Sequence, residues 1–220
     1  MNQEDIAKRD AEFFKAWQKD KTINRADFNN ARPIKTVREP KGFKNAPREF
    51  DTANPPSPEH KKIYTKLSEY CKKFPALKIP NIVLSGATGT GKTFITHVIA
   101  NNLFDRGHHV EYTTAFNMVK SFQTYIQSFG RDDGQLNAFL ECDLLIIDDL
   151  GAEPTIKNIT LEHIYNIVNE RLVNERPFII TTNMEPNALI QKYDQRIASR
   201  ILSKETSTVI SVNGKDLRIG

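Results

Sequence analysis

A glycine-rich stretch, residues 86–93, has the composition and spacing of a phosphate-binding loop. It reads GATGTGKT and fits the pattern G-x-x-x-x-G-K-[ST], between an apolar run at 82–84 and a helical pattern. Glycines let backbone N–H groups close around an anion, and the start of the following helix adds partial positive charge. Lys92 is expected to reach the β- and γ-phosphates, and the Thr93 hydroxyl to ligate Mg²⁺, so we predict a nucleoside triphosphate site. The predicted contacts are Gly86, Ala87, Thr88, Gly89, Thr90, Gly91, Lys92 and Thr93.

Two aspartates end a second apolar run further along the chain. Residues 144–147 are four consecutive apolar residues, which is typical of a strand buried on both faces of a parallel sheet. Asp148 and Asp149 follow at the C-terminal end of that strand, where open α/β sheets bind their ligands. Asp148 is the expected partner of Mg²⁺, directly or through water. Asp149 is the candidate general base that polarises the attacking water.

Three polar residues near the C-terminus are candidates for the same reaction. Asn183 follows an apolar run and could hydrogen-bond the γ-phosphate or orient water, with helix capping as the alternative. Arg196 and Arg200 are four residues apart, so they share a face if their segment is helical. An arginine can stabilise transition-state charge in a neighbouring subunit, although the spacing alone favours surface ion pairing.

Short apolar runs alternate with helical patterns, which predicts an α/β fold with a central parallel sheet. Strands are expected at 82–84, 109–113, 144–147, 178–182 and 208–212. One helix is expected to begin at Ser57–Pro58, a second to follow the phosphate loop and a third to follow the second strand. A short helix is expected to end near Glu141, and a long one to span 158–174. The helix after the second strand should turn its apolar side to the core, with base stacking as the alternative. That side carries Phe116, Val119, Phe122, Ile126 and Phe129.

The N-terminal quarter differs from the rest of the chain. Residues 1–30 are expected to form a helical partner-binding segment, because apolar residues recur at helical spacing within 4–19. Folding back on the protein's own body is the alternative. Residues 31–56 are expected to be a basic, proline-containing linker, and 57–220 the catalytic domain. Residues 31–50 contain six bases and two acids, and their net charge of +4 equals that of the whole chain. This basic stretch could follow a phosphate backbone, or its charges could only keep the linker solvated.

Composition narrows the class of protein. A chain of 220 residues is long enough for one α/β domain and a short appendage. Its polar N-terminus has no secretory signal and no apolar stretch spans a membrane, so we expect a cytoplasmic protein without membrane contact. The cysteines, Cys71 and Cys142, lie far apart, which fits buried thiols and excludes a cysteine-based zinc site.

Together these motifs resemble AAA+ ATPases of the bacterial replicative helicase-loader type, the DnaC/DnaI group. The resemblance covers about residues 50–218 and is carried by GATGTGKT, CDLLIIDDLGAE, IITTN, RIASRI and a closing G-x-D-x-R at 214–218. It implies an ASCE-type P-loop NTPase fold, a three-layer sandwich, with ATP as the nucleotide. Members of this group lack the C-terminal helical lid of other AAA+ proteins, and none is expected here.

The resemblance also implies residue roles and partners. Asn183 would be the sensor-1 residue, and Arg200 the arginine finger acting in trans, within a head-to-tail oligomer with ATP between subunits. The implied function is an ATPase that binds the replicative hexameric DNA helicase, helps place it on single-stranded DNA, and leaves upon hydrolysis. A phage or mobile element could equally carry such a chain.

Two other functions remain open on the sequence. An IstB-like transposition helper has the same ATPase core but acts on a transposase and duplex DNA. An ATP-dependent switch with negligible turnover is the third, because Asp149 stands where many AAA+ proteins have glutamate.

Overall fold

The computed structural model describes residues 46–128, 134–156 and 159–217. The expected N-terminal helix, residues 31–45 of the expected linker, Phe129 and Arg218 lie outside these ranges. In chain order the elements are α1 (Pro58–Lys73), β1 (Asn81–Ser85), α2 (Lys92–Asp105), β2 (Val110–Thr114), α3 (Ala115–Gln127), α4 (Gly134–Glu141), β3 (Leu144–Leu150), α5 (Thr160–Val173), β4 (Phe178–Thr182), α6 (Pro186–Ile201) and β5 (Ser207–Ser211).

The five strands form one sheet in the order β2-β3-β4-β1-β5, and every neighbouring pair is parallel. The carboxyl ends of all strands therefore lie along one edge. The phosphate loop follows β1, whereas the two aspartates end β3, and β4 lies between these strands. This order brings loop and aspartates to the same edge, where doubly wound sheets bind ligands.

Helices cover both faces of the sheet, which confirms the predicted three-layer fold. Side chains of α1 and α2 form one apolar layer, and those of α3, α4, α5 and α6 form the other. Successive strand residues alternate between the layers because a strand has a side-chain period of two. Ile82 and Leu84 belong to the first layer, for example, and Val83 belongs to the second.

The buried side of α3 agrees only in part with the predicted one, since Val119 and Phe122 are buried as expected. Phe116 is 57% exposed and Ile126 is 42% exposed, so the expectation that both face the core is wrong. Thr114 caps the helix by accepting the Asn117 N–H, and burial then follows an i, i+3, i+4, i+7 pattern that starts at Ala115. The buried residues are Ala115, Met118, Val119 and Phe122.

No helix within the described ranges is both long enough and apolar enough to cross a membrane.

Candidate functional site

The backbone of the phosphate loop makes sharp turns at its last two glycines. Gly89 and Gly91 have φ angles of 82° and 92°, a region that a β-carbon disfavours, and Gly91 caps the start of α2. Lys92 is only 6% exposed. Its ammonium donates to the carbonyls of Gly86 and Ala87, each at 2.8 Å. The lysine charge thus lies inside the loop, at the place where phosphate oxygens are predicted.

Thr93 and Asp148, the two predicted metal ligands, contact each other. The Thr93 hydroxyl donates to both carboxylate oxygens of Asp148, at 3.0 and 3.3 Å. Mg²⁺ takes hard oxygen donors of this kind, and beside phosphates it uses one or two carboxylates. No group of three or more His, Cys, Asp or Glu side chains in the described part of the chain could hold a metal alone. The donor set therefore fits Mg²⁺ bound together with a triphosphate.

Two further hydroxyls donate to Asp148, and the sequence did not single out either residue. Tyr112 on β2 donates at 2.6 Å, and Thr181 on β4 donates to the other carboxylate oxygen. Burial, followed by the hydrogen bond to Asp148, raises the pKa of Tyr112 well above its ordinary value, so the phenol keeps its proton. Both residues lie on the strands that flank β3, so only the strand order reveals them.

Asp149 adopts a backbone conformation that is uncommon outside glycine. Its φ angle is 56°, and the β3–β4 register shifts between Ile147 and Leu150. The Thr181 hydroxyl accepts the Asp149 N–H at 2.9 Å, so the same hydroxyl orients both aspartates. Asp149 lines a cavity, whereas Asp148 is not among the residues that line it.

Asn183 lines the same cavity as Asp149 and the phosphate loop. Its side-chain amide donates to Asp149 Oδ1 at 3.4 Å. The cavity has a volume of about 500 Å³ and is lined by Lys92, Thr93, Asp149 and Asn183 together with parts of the loop. The structure thus brings the predicted base and the predicted sensor residue together beside the loop.

Residues 46–56, which the composition placed in the linker, pack on the domain and form another wall of the cavity. The cavity is lined there by Pro47, Asp51, Asn54 and Pro56. The Phe50 ring lies 4.9 Å from that of Tyr64 on α1.

Side chains of α2 bind the segment 46–56 through hydrogen bonds and an ion pair. Asn101 donates to the Ala46 carbonyl, Asn102 donates to the Arg48 carbonyl, and the Arg48 guanidinium pairs with Asp105.

His60 of α1 contacts the backbone of the phosphate loop. It is buried, and its Nε2 lies 3.0 Å from the Thr90 carbonyl oxygen. Its Nδ1 lies 2.8 Å from the hydroxyl of Ser57, which also caps α1. Because a carbonyl can only accept, Nε2 carries the proton in this arrangement.

The closing motif at 214–218 lies against the phosphate loop as far as it is described. The Leu217 N–H donates to the Gly89 carbonyl at 2.9 Å, and Leu217 lines the cavity. The Asp216 carboxylate occupies the space that a side chain at Gly89 would need. A glycine at 89 is therefore required both for its φ angle and for this close approach.

Arg196 and Arg200 share a face of α6, as their spacing predicted. Both guanidinium groups lie over the Tyr165 ring, at 5.6 and 4.7 Å from its centroid. Arg200 Nε also donates to Asn169 of α5, and Arg196 pairs with Asp194. Among the described contacts, neither arginine touches the phosphate loop, Asp148 or Asp149 of its own chain.

These features define a P-loop ATP-binding protein of the AAA+ class: a loop after β1, paired aspartates near the end of β3 and an asparagine after β4. The chain belongs to the IstB-like ATP binding protein family, whose model matches residues 71–219.

Individual relatives agree with this placement. The Phage-like element PBSX protein XkdC of Bacillus subtilis (strain 168) is 27% identical over 138 residues, which make up 61% of this chain and 51% of that protein. The Replicative helicase loader DnaC of Escherichia coli (strain K12) is 28% identical over 138 residues, or 62% and 56%. The chain thus spans about half the length of the curated relatives it matches. The crystal structure of the DnaC helicase loader has the same fold, with a TM-score of 0.68 and 20% identity over 79% of this chain and 99% of that chain.

Proposed function

We propose that this chain hydrolyses ATP, and the contact of Thr93 with Asp148 beside the phosphate loop is the observation that carries the proposal. With ATP in the loop, the Lys92 ammonium would exchange its two carbonyl partners for phosphate oxygens. Thr93 and Asp148 would hold Mg²⁺, which would neutralise charge that develops on the phosphates.

Asp149 and Asn183 would act on the attacking water. Asp149 follows the register shift after Ile147 and lines the cavity, where its carboxylate would take a proton from the water that attacks the γ-phosphate. Asn183 lies within hydrogen-bonding distance of that carboxylate and would orient the same water. Asp148, in contrast, has both oxygens occupied by hydroxyl donors and is disfavoured as the base.

Arg200 would complete the site of a neighbouring subunit. Its contacts with Tyr165 and Asn169 hold the guanidinium on the surface of α5 and α6, away from its own phosphate loop. An arginine in that position contributes to hydrolysis only if a second copy presents its ATP to it. The proposal therefore includes a head-to-tail oligomer.

We propose helicase loading as the biological role of this ATPase. The sequence relatives include a protein named for that role, which is 28% identical over 138 residues. In this proposal, ATP-bound subunits bind the replicative hexameric helicase and help place it on single-stranded DNA. Hydrolysis then releases the subunits. The aromatic segment at 4–19 is the proposed helicase contact.

A transposition helper is the second candidate, and the family description supports it. The matching model is named for IstB-like proteins. Such a helper would use the same ATP site but would act on a transposase and duplex DNA.

The enzymatic part of the proposal is tested by steady-state phosphate release at saturating Mg²⁺ and ATP. The Lys92→Ala variant of the full chain should lose turnover, because its loop can no longer neutralise the phosphates. Wild-type turnover in that variant contradicts the site assignment. Negligible turnover in the unmodified chain, with ATP bound, would instead identify an ATP-dependent switch.

The partner is tested by affinity capture from host lysate with Mg²⁺ and ATP, using the full chain, Lys92→Ala and Trp17→Ala. Capture of the replicative helicase by the full chain, but not by Trp17→Ala, is the expected result. Capture of a transposase identifies the second candidate and leaves only the ATPase assignment standing.

A further inference from the structure

A buried carboxylate follows the aspartates in the loop after β3. The side chain of Glu153 is 0% exposed. One of its oxygens accepts the Tyr193 hydroxyl in a short hydrogen bond and lies 3.2 Å from the Lys192 ammonium. The other oxygen accepts the Gly151 N–H at 2.8 Å. A charge this deeply buried is stable only because all of these partners are present.

The same three side chains join the loop to helix α6 at two places. Lys192 Nζ also donates to the Gly151 carbonyl, at 2.5 Å. Tyr193 is fully buried, and burial, followed by the Glu153 charge, raises the pKa of its phenol far above the ordinary value. Tyr193 therefore remains a hydrogen-bond donor, and Gly151 is bonded to the network through both its N–H and its carbonyl.

This network lies between two parts of the proposed reaction. Gly151 is two residues from Asp149, and the Ala152 N–H donates to the Asp149 carbonyl in the connecting turn. At the other end, Tyr193 directly precedes Asp194, whose φ angle of 62° breaks α6. The Asp194 carboxylate accepts the N–H groups of Arg196 and Ile197 and so starts the second half of the helix.

The second half of α6 carries both arginines, so its direction decides where they point. An apolar side chain could fill the space of Tyr193 as well, because Tyr193 packs within the apolar layer. A hydrogen bond is directional, so the bond from Tyr193 to Glu153 fixes the orientation of α6 relative to the loop after β3, which apolar packing would not do.

We propose that Glu153, Lys192 and Tyr193 are positioning residues that aim the arginine-bearing half of α6 at the neighbouring subunit's ATP. This inference depends on the proposed action of Arg200 in trans.

The test uses mixed assemblies of full-length subunits. An Arg200→Ala subunit keeps a working nucleotide site but offers no arginine, and a Lys92→Ala subunit offers the arginine but has no working site. Hydrolysis by the mixture reports only arginine donation from the second subunit to the first. Tyr193→Phe is then added to the donor or to the acceptor in separate experiments.

Tyr193→Phe in the donor should lower hydrolysis by about tenfold, because one hydrogen bond to a buried charge is lost. The same substitution in the acceptor should have less than about a twofold effect. Tyr70→Phe in the donor is the matched control, since Tyr70 is a buried tyrosine whose hydroxyl donates to the Pro80 carbonyl in the other apolar layer. It should leave rescue unchanged.

Lys192→Met gives a second reading in case Tyr193→Phe fails to fold, since Lys192 is 23% exposed. Equal losses from donor and acceptor, or no loss from either, overturn the positioning role. If the unmodified Lys92→Ala donor fails to rescue the acceptor, the trans arginine itself is wrong and the inference falls with it. If the unmodified donor restores hydrolysis and neither Tyr193→Phe nor Lys192→Met changes it, the positioning inference is wrong, while the action of Arg200 in trans stands.

Discussion

Two buried charges lie at opposite ends of the central sheet, and their surroundings differ. Asp148 ends β3 at the carboxyl edge and accepts hydrogen bonds from three side-chain hydroxyls, those of Thr93, Tyr112 and Thr181. Arg171 of α5 is fully buried at the amino edge. It donates to backbone carbonyls of Phe139, Leu140, Cys142 and Pro177.

The partners of Arg171 are fixed, whereas those of Asp148 can rearrange. Backbone carbonyls near the starts of β3 and β4 and at the end of α4 cannot turn away without unfolding their elements. Hydroxyl groups rotate at little cost, and Thr93 can replace its contact with Asp148 by a shared cation. A buried charge held by backbone is thus suited to structure, and one held by rotatable hydroxyls is suited to binding an ion.

The largest expected effect comes from neutralising the charge at the carboxyl edge. Asp148→Asn should lower ATP hydrolysis by at least about a hundredfold, because Mg²⁺ loses its anionic protein ligand. The fold should persist, since an asparagine oxygen still accepts from Tyr112 or Thr181. Phosphate release measures the first effect and the thermal unfolding midpoint the second. Wild-type turnover would remove Asp148 from the metal site.

The converse substitution at the amino edge should act on stability. Arg171→Met should lower the free energy of unfolding by about 3 kcal/mol or more, because several buried carbonyls lose their donor. Hydrolysis per folded molecule should change little at low temperature. Urea unfolding followed by circular dichroism measures the loss, and an unchanged midpoint would show that the carbonyls find other donors.

A smaller effect is expected from one hydroxyl at the carboxyl edge. Tyr112→Phe should weaken apparent Mg²⁺ affinity by about tenfold, because the donor that orients one Asp148 oxygen is lost. Turnover should recover at high Mg²⁺. A Mg²⁺ titration of hydrolysis, with Tyr70→Phe as the control, separates this outcome from a general loss of stability, which added Mg²⁺ would not reverse.

The last effect appears only at alkaline pH and concerns the thiol beside Arg171. Burial raises the pKa of Cys142 to about 11 from an ordinary value near 9, although Arg171 acts in the opposite direction. The unfolded chain therefore loses this proton first, and the free energy of unfolding falls as pH rises through that interval. The contribution is about 1.4 kcal/mol per pH unit. Cys142→Ala should show a correspondingly flatter decline in alkaline urea unfolding, and an identical slope would contradict the burial effect.

The sequence alone determined the phosphate loop, the buried strand with its two aspartates and the α/β class. Each is encoded by residues close together in the chain, because a loop motif and a strand period are local patterns. The same locality explains the error on α3. Any stripe of apolar residues fits a helix, but the helix start at Ala115 sets which face is buried.

The packing of helices and strands selects which distant residues serve those motifs. Tyr112 and Thr181 meet Asp148 because β2 and β4 flank β3, and no local pattern states the order of strands in a sheet. Phe50 packs against the Tyr64 ring because α1 offers it a partner, despite its place in a proline-rich segment. Glu153 reaches Tyr193 across 40 residues of chain for the same reason. Contacts of this kind depend on packing between elements, which a single sequence encodes only through the fold as a whole.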